Sequence, residues 1–146
     1  MSRNELLLGL AVAMTLFAFL AVTPMRAADT AKSDSGNRVF ELRKYYAAQG
    51  KLDALNARFR DHTCALFKKH GMDLIGFWVP SEGPEANKVL IYMLAFPSKE
   101  AKEASWKAFQ QDPEWIKAKA ESEKDGKLTD KIESTLMTAT DYSAIK

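Results

Sequence analysis

The stretch of residues 51–72 constrains the fold of this chain more than any other. Apolar and small side chains recur in it at steps of three and four residues, which at about 100° per residue places them on one side of a helix. Charged side chains occupy the opposite side, and Gly71 stands where a left-handed residue would end the last turn. The pattern predicts a long amphipathic helix with one buried face. That face consists of Leu52, Leu55, Phe59, Thr63, Leu66 and His70.

Four other segments have the features of β-strands. Residues 39–46 alternate with period two, and residues 132–137 do so again near the end of the chain. Between them, residues 74–79 and 89–96 are short apolar runs on either side of a loop that is rich in proline. These four segments are predicted to form one sheet.

A second helix is predicted between the third and fourth strands. Ser98 is a good N-cap after Pro97, and Asp112 followed by Pro113 begins a further helical segment. The order of elements is then strand, helix, strand, strand, helix, strand. This order is typical of the ferredoxin-like α+β fold, βαββαβ, in which a four-stranded antiparallel sheet carries its helices on one face.

The sheet is expected to need a partner on its second face. Residues 74–79 and 89–96 are apolar on both faces, whereas helices in this topology cover only one. An exposed Tyr92, Leu94 and Phe96 would leave an apolar patch above the roughly few hundred Å² that soluble monomers tolerate. We therefore predict a homodimer in which the two sheets pack face to face.

The start of the chain has the character of an export segment. Residues 1–27 contain a short polar start, an uncharged apolar run and small residues, in the order of a secretory signal peptide. The apolar run lies between the ~7–15 residues of a signal peptide and the ~20 of a membrane span, so an uncleaved anchor is the alternative. Residues 28–38 are predicted to be a flexible linker, residues 39–143 a single domain and residues 144–146 a tail. We expect a periplasmic or secreted protein that contacts a membrane only if the first segment is uncleaved.

Charge and cysteine content narrow the classes of partner. The formal net charge is +2 over 146 residues, so there is no basic field of the kind that nucleic-acid binding requires. The single cysteine, Cys64, cannot form an intramolecular disulfide, so the core must hold an exported domain together. Residues 117–131 alternate in the sign of their charge and are predicted to be a solvated face.

A set of short strings along the chain points to a known family. These strings are EL-x-x-Y, F-x-x-H, GFW, A-x-PS and DPEW. Over residues 39–143 the chain resembles the NIPSNAP family. The resemblance implies the dimeric α/β-barrel superfamily, in which a ferredoxin-like domain pairs through its sheet. Animal members of the family are associated with mitochondria and vesicle traffic and act through protein partners, whereas bacterial members mostly lack an assigned activity.

The same resemblance implies a pocket between the sheet and the helices, where some members of the superfamily oxidise or isomerise small molecules. The side chains expected in it are Tyr45, Arg58, His62, Trp78 and Tyr92, with Arg43 as an alternative to Arg58 for holding an anion. His62 is the candidate catalytic residue, because an imidazole with an ordinary pKa near ~6.5 can act as a general base near neutral pH. The alternative is a structural His62 that hydrogen-bonds a protein carbonyl or carboxylate and packs.

The sequence predicts no metal site and no cofactor. His62 and His70 are two helical turns apart, and there is no cluster of cysteine and histidine residues. His70 is expected at the C-terminal end of its helix, where a cation interacts favourably with the helix dipole. Aromatic residues of the second helical region predict a hydrophobic seam, with a ligand-stacking platform as the alternative. They are Trp106, Phe109 and Trp115.

Two functional hypotheses stay open at this point. The first is an exported, homodimeric binding module that performs no chemistry and takes a protein partner or a small apolar ligand. The second is a cofactor-independent monooxygenase or isomerase that acts on a small aromatic or lipid-like molecule, with His62 as its base. A roomy pocket with His62 pointing into it would favour the enzyme, and a His62 satisfied by protein groups would favour the binding module.

Overall fold

The computed structural model describes residues 38–146. The export segment predicted for residues 1–27, and all but the last residue of the predicted linker, lie outside the described residues. Within residues 38–146, no helix combines the length and the apolar character that crossing a membrane requires.

One four-stranded antiparallel sheet forms the centre of the domain, with strand order β2-β3-β1-β4. The first helical region contains a π-helical turn between two α-helical parts, and two further helices connect the third and fourth strands. This arrangement confirms the predicted ferredoxin-like α+β fold. The elements are β1 (Val39–Ala47), α1 (Leu52–Arg58), the π turn (Phe59–Thr63), α2 (Cys64–Lys69), β2 (Asp73–Trp78), β3 (Val89–Phe96), α3 (Lys99–Gln111), α4 (Pro113–Ser122) and β4 (Thr129–Thr138).

The two connecting helices begin where their capping residues stand. The backbone N–H of Ala101 donates to the Ser98 hydroxyl at 3.2 Å, and the N–H of Glu114 donates to Asp112 Oδ1 at 2.8 Å. Each side chain satisfies a backbone donor that has no partner within its own helix. Pro113 occupies the first turn of α4, where its missing N–H costs nothing. Both predicted helix starts are confirmed.

The core lies between the helices and one face of the sheet, which we call the helix face. The assignment of Tyr92, Leu94 and Phe96 to the open side is wrong, because all three are 0% exposed and belong to this core. The reason is the strand register, which places Tyr92 opposite Arg43 and Leu90 opposite Tyr45, on the side that the helices cover. The second face, which we call the open face, instead presents Leu42, Trp78, Ile91 and Met93.

The π turn changes which side of the first helical region is buried. The N–H of Cys64 donates to the carbonyl of Phe59, five residues back, and the Thr63 hydroxyl donates to the Arg58 carbonyl at 3.2 Å. The wider turn advances the chain by one residue, so Thr63 and Phe67 turn inward and are each 1% exposed. His62 is exposed as a result. The predicted buried face is confirmed at Leu55, Phe59, Thr63 and Leu66.

Candidate ligand-binding cleft

A cleft of about 730 Å³ opens between the helix face of the sheet and the helices. Its walls combine side chains from β1, the first helical region, α3, α4 and the start of β4. Six aromatic rings line it, and the charged side chains among its walls are mostly basic. The aromatic rings are those of Tyr45, Phe59, Phe67, Trp106, Phe109 and Trp115.

Strand β1 positions the polar groups at the floor of the cleft. Its alternation places Glu41, Arg43 and Tyr45 together on the helix face. The Tyr45 ring packs edge-on against Phe59, with 5.6 Å between ring centroids, and against Tyr92 at 5.3 Å. The strand thus fixes an aromatic surface and a charged pair at adjacent positions.

The Glu41 carboxylate is 1% exposed and fully engaged by protein donors. It accepts hydrogen bonds from the Trp106 indole N–H at 2.6 Å, from the Ser134 hydroxyl at 2.6 Å and from Arg43 Nη1 at 2.8 Å. A buried carboxylate needs such partners to compensate for lost hydration. Glu41 is therefore committed to holding Arg43 and Trp106 in place.

Arg43 lies between its carboxylate partner and two aromatic rings. Its guanidinium carbon is 4.4 Å from the centroid of the Trp106 ring, and Nη2 donates to the Tyr45 hydroxyl at 3.4 Å. Tyr92 lies beneath this group, and its hydroxyl has no hydrogen-bond partner among the described residues. Burial raises the pKa of the Tyr92 hydroxyl well above its ordinary value, so the ring is neutral at physiological pH.

Arg58 supplies a second guanidinium at the other end of the cleft. The residue ends α1, is 5% exposed and places its guanidinium carbon 5.3 Å from the centroid of the Trp115 ring. Nη1 donates to Glu123 Oε1 at 2.9 Å and to the Ser122 hydroxyl at 3.4 Å. An arginine in this position is held by a carboxylate and an aromatic face at the same time.

The structure brings together some of the predicted site residues. Tyr45 and Arg58 line the cleft, as does Arg43, the alternative to Arg58, and Tyr92 supports Tyr45 from below. Two of the residues predicted for the pocket lie elsewhere in the described structure: Trp78 on the open face and His62 on the outer surface.

The positions of Trp78 and His62 outside the cleft have identifiable physical causes. Trp78 is 50% exposed, because β2 turns Phe77 inward to stack on Tyr92 and so turns its neighbour outward. A Cβ on Gly76 would lie 2.5 Å from ring carbons of Trp78, so the glycine gives this indole its place on the open face. His62 is turned away by the π turn and borders a separate depression of about 170 Å³, next to Glu114.

Sequence reasoning missed the basic and acidic residues of α4 and of the loop after it. Lys119, Glu123 and Lys127 line the cleft, although they belong to the run that was interpreted as a solvated face. Lys119 and Glu123 follow Trp115 at steps of four residues, which places them on one side of α4 with an aromatic residue, whereas no helical spacing places Lys127 in the loop. Trp106 and Trp115 form the predicted seam through Phe109 and also form walls of the cleft.

His70 belongs to a structural network outside the cleft. Its Nε2 lies 2.7 Å from Asp112 Oδ2, and Lys69 Nζ lies 2.9 Å from the same oxygen. The hydrogen bond from His70, and then that from Lys69, lowers the pKa of the Asp112 carboxyl below its ordinary value. Among residues 38–146, no group of three or more histidine, cysteine, aspartate or glutamate side chains is arranged to hold a metal ion.

Comparisons with known proteins connect this architecture to a family. The sequence profile of NIPSNAP matches residues 40–144. A NIPSNAP family protein with unknown function from Agrobacterium tumefaciens is 21% identical, has a TM-score of 0.66, and the match covers 75% of this chain and 95% of that one. A NIPSNAP-like domain protein from Burkholderia xenovorans is 15% identical with a TM-score of 0.65, and the match covers 73% of this chain and 89% of that one.

A third solved structure shares the fold at a greater distance. SnoaB, a cofactor-independent oxygenase from Streptomyces nogalater, is 13% identical with a TM-score of 0.50, and the match covers 74% of this chain and 98% of that one. Identities at this level show a shared fold and do not extend to activity. Comparison with curated proteins gave no match.

Proposed function

Since this chain belongs to the NIPSNAP family, we propose that it is a binding module that holds a small, largely apolar ligand between its sheet and its helices. The cleft is the observation that carries the proposal. Its volume of about 730 Å³ lies within the ~300–1,000 Å³ typical of small-molecule sites, and six aromatic rings line it. A few fixed polar groups among apolar walls are what such a site needs to orient a ligand.

The arrangement of titratable groups favours binding over chemistry. Glu123, which lines the cleft, and Glu41, which is buried behind Arg43, are each paired with an arginine. The histidine that the enzymatic alternative requires as a base, His62, lies on the outer surface. The fold shared with SnoaB keeps an oxygenase or isomerase as the second candidate, and a role of His62 in it stays a prediction.

The open face supports the homodimer as part of the proposal. Leu42, Ile91 and Met93 are half-buried there, and Trp78 is half exposed beside them. Each Å² of apolar surface removed from water contributes about 25 cal/mol, so pairing two such faces would be favourable. Export of the chain is also proposed, on the basis of residues 1–27 alone.

Titration with a neutral fluorescent probe tests the binding role. N-phenyl-1-naphthylamine should bind saturably, and Ala120→Trp should weaken its affinity by about tenfold or more, because Ala120 lines the cleft and an indole there would occupy it. Ala108→Trp is the matched control, since Ala108 is also an exposed helical alanine but lies outside the cleft. Absence of saturable binding, or equal affinities of the two variants, would refute the proposed function.

A further inference from the structure

We propose that the ligand of the cleft is a small aromatic acid, a ring system with one carboxylate or sulfonate group. This inference rests on the proposed binding function and adds the chemical class of the ligand. The aromatic walls would contact the ring system. The anionic group would lie at a basic rim, which we define as Arg58, Lys119 and Lys127.

The charges around the cleft do not cancel. Arg43 has Glu41 as its partner and Arg58 has Glu123, so these four charges are balanced in pairs. Lys119 and Lys127 also line the cleft, and neither forms an ion pair within the part of the chain that the structure describes. The cleft thus has an excess of two positive charges beside largely apolar walls. Such a site favours an anion over a neutral or cationic ligand of the same shape.

The members of the basic rim converge on one place. Arg58 contacts Glu123, Lys119 precedes Glu123 by one helical turn, and Lys127 follows it by four residues in the loop to β4. Lys119 and Lys127 therefore line the same cleft as a carboxylate that Arg58 already neutralises. A second anion arriving there would meet the uncompensated lysine charges.

Arg58 has donors left for a ligand. Its hydrogen bonds to Ser122 and Glu123 both use Nη1, and Nη2 donates to no acceptor among residues 38–146. The guanidinium is held against the Trp115 ring, so its orientation is fixed before a ligand binds. A carboxylate or sulfonate is the group that a fixed, planar guanidinium recognises best.

The aromatic walls favour a ring system as the remaining part of the ligand. Phe109 packs on Trp115 at 4.5 Å and on Trp106 at 5.7 Å between ring centroids, which makes a continuous ring-lined wall beside the rim. A small hydrophilic anion would leave this wall in contact with water. A fused or biaryl ring system would cover it by stacking and edge-on contacts.

A pair of probes with the same ring skeleton tests the inference on the full domain. 1-Anilinonaphthalene-8-sulfonate carries one permanent negative charge, and N-phenyl-1-naphthylamine carries none. The sulfonate should displace the neutral probe, which places both in the cleft. Replacing two rim cations by Lys119→Gln and Lys127→Gln together should weaken sulfonate binding roughly three- to tenfold. Binding of the neutral probe to the same double variant measures any loss of contact with the lysine side chains, and the loss for the sulfonate should exceed it.

The control removes the same charge elsewhere. Lys107 and Lys117 are exposed helical lysines that do not line the cleft, so Lys107→Gln with Lys117→Gln should leave both affinities unchanged. Equal losses in the two double variants would show a general charge effect and overturn the inference. Failure of the sulfonate to displace the neutral probe would also overturn it. In both cases neutral-probe binding would leave the proposed function intact, whereas no binding of the neutral probe would remove both.

Discussion

Asp112 connects three helices through one carboxyl group. It follows α3, caps α4 through the N–H of Glu114, and accepts contacts from Lys69 and His70 at the end of the first helical region. The residue is 5% exposed, so nearly all of its hydration has been exchanged for these contacts. Such a carboxylate stabilises the fold only while it is ionised.

Asp112 should make stability depend on acid pH. Its pKa in the folded domain is lowered from the ordinary 3.8, so the folded state binds this proton less readily than the unfolded state. The stabilisation by Asp112 is therefore fully present at pH values well above 3.8, the pKa of the unfolded state. It declines as the pH falls from there toward the lower pKa of the folded state. The difference in free energy of unfolding between the wild type and Asp112→Asn should be at its full value above about pH 5 and shrink on further acidification.

Urea unfolding followed by tryptophan fluorescence at a series of pH values measures this difference. Asn is also a good N-cap, so the substitution removes the charge and keeps the cap. Asp130→Asn serves as the control, because Asp130 is exposed and forms no ion pair in the described residues. A pH-independent difference for Asp112→Asn would show that ionisation of this residue does not contribute.

At the scale of elements, the π turn determines which residues of the first helical region face the sheet. An uninterrupted α-helix would place His62 near the side of Leu55 and Phe59, as its predicted place in a pocket requires. The extra residue in the turn directs His62 outward, while Thr63 keeps its predicted place on the buried face. A π turn has no strong local sequence signal, so the helix was predictable while its phase after Phe59 was not.

A variant that lacks His62 should still fold. Deleting one residue within the π turn converts its five-residue hydrogen bond into the four-residue α-helical bond and leaves the flanking helices in phase. We expect the melting temperature to change by no more than about 5 °C. Deleting Ala57, within regular α1, should rotate Leu52 and Leu55 by about 100° and remove most of the stability.

Thermal unfolding followed by circular dichroism compares the two deletions directly. Equal destabilisation by both would mean that the turn does not act as a one-residue insertion. The variant without His62 should also bind N-phenyl-1-naphthylamine as the wild type does, because the histidine lies outside the cleft.

Local sequence signals predicted the strands and helices of residues 38–146. These signals are the period-two and period-three-to-four patterns, the caps Ser98 and Asp112 and the proline-rich loop. Strand β3, for example, spans the predicted residues 89–96. The face of β3 that the helices cover could not be read locally. It follows from pairing with β1, where Tyr92 lies opposite Arg43.

The cleft could be predicted only in part. Tyr45 and Arg58 were expected in a pocket from the family resemblance, and both line the cleft. Lys119 and Lys127 were missed, because an exposed lysine that borders a ligand site and one that faces bulk water have the same local sequence pattern. Their role depends on how closely α4 approaches α1, which is a property of the packed domain.

In the domain as a whole, the helices cover one face of the sheet and leave the other open. The helix face forms the core and the cleft, and the open face presents an apolar surface around Met93. Met93→Lys should convert the proposed dimer to monomers, because a charged ammonium in an apolar sheet-to-sheet contact loses its hydration without a partner. Binding of N-phenyl-1-naphthylamine in the cleft should persist.

Sedimentation velocity at micromolar concentration distinguishes the two states. Ala104→Lys is the control, since it adds the same charge to an exposed position of α3 and should leave assembly unchanged. A wild-type protein that sediments as a monomer would refute the proposed dimer. A dimer unaffected by Met93→Lys would show that another surface joins the subunits.

The inner strand β1 belongs to both faces at once. Glu41, Arg43 and Tyr45 point toward the cleft, and the residues between them, Leu42 and Lys44, point toward the open face. Under the proposed binding and assembly, neighbouring codons in this stretch are exposed to different selective pressures. A lineage could then change what the domain binds by exchanging every second residue of one strand, and change how it assembles by exchanging the others.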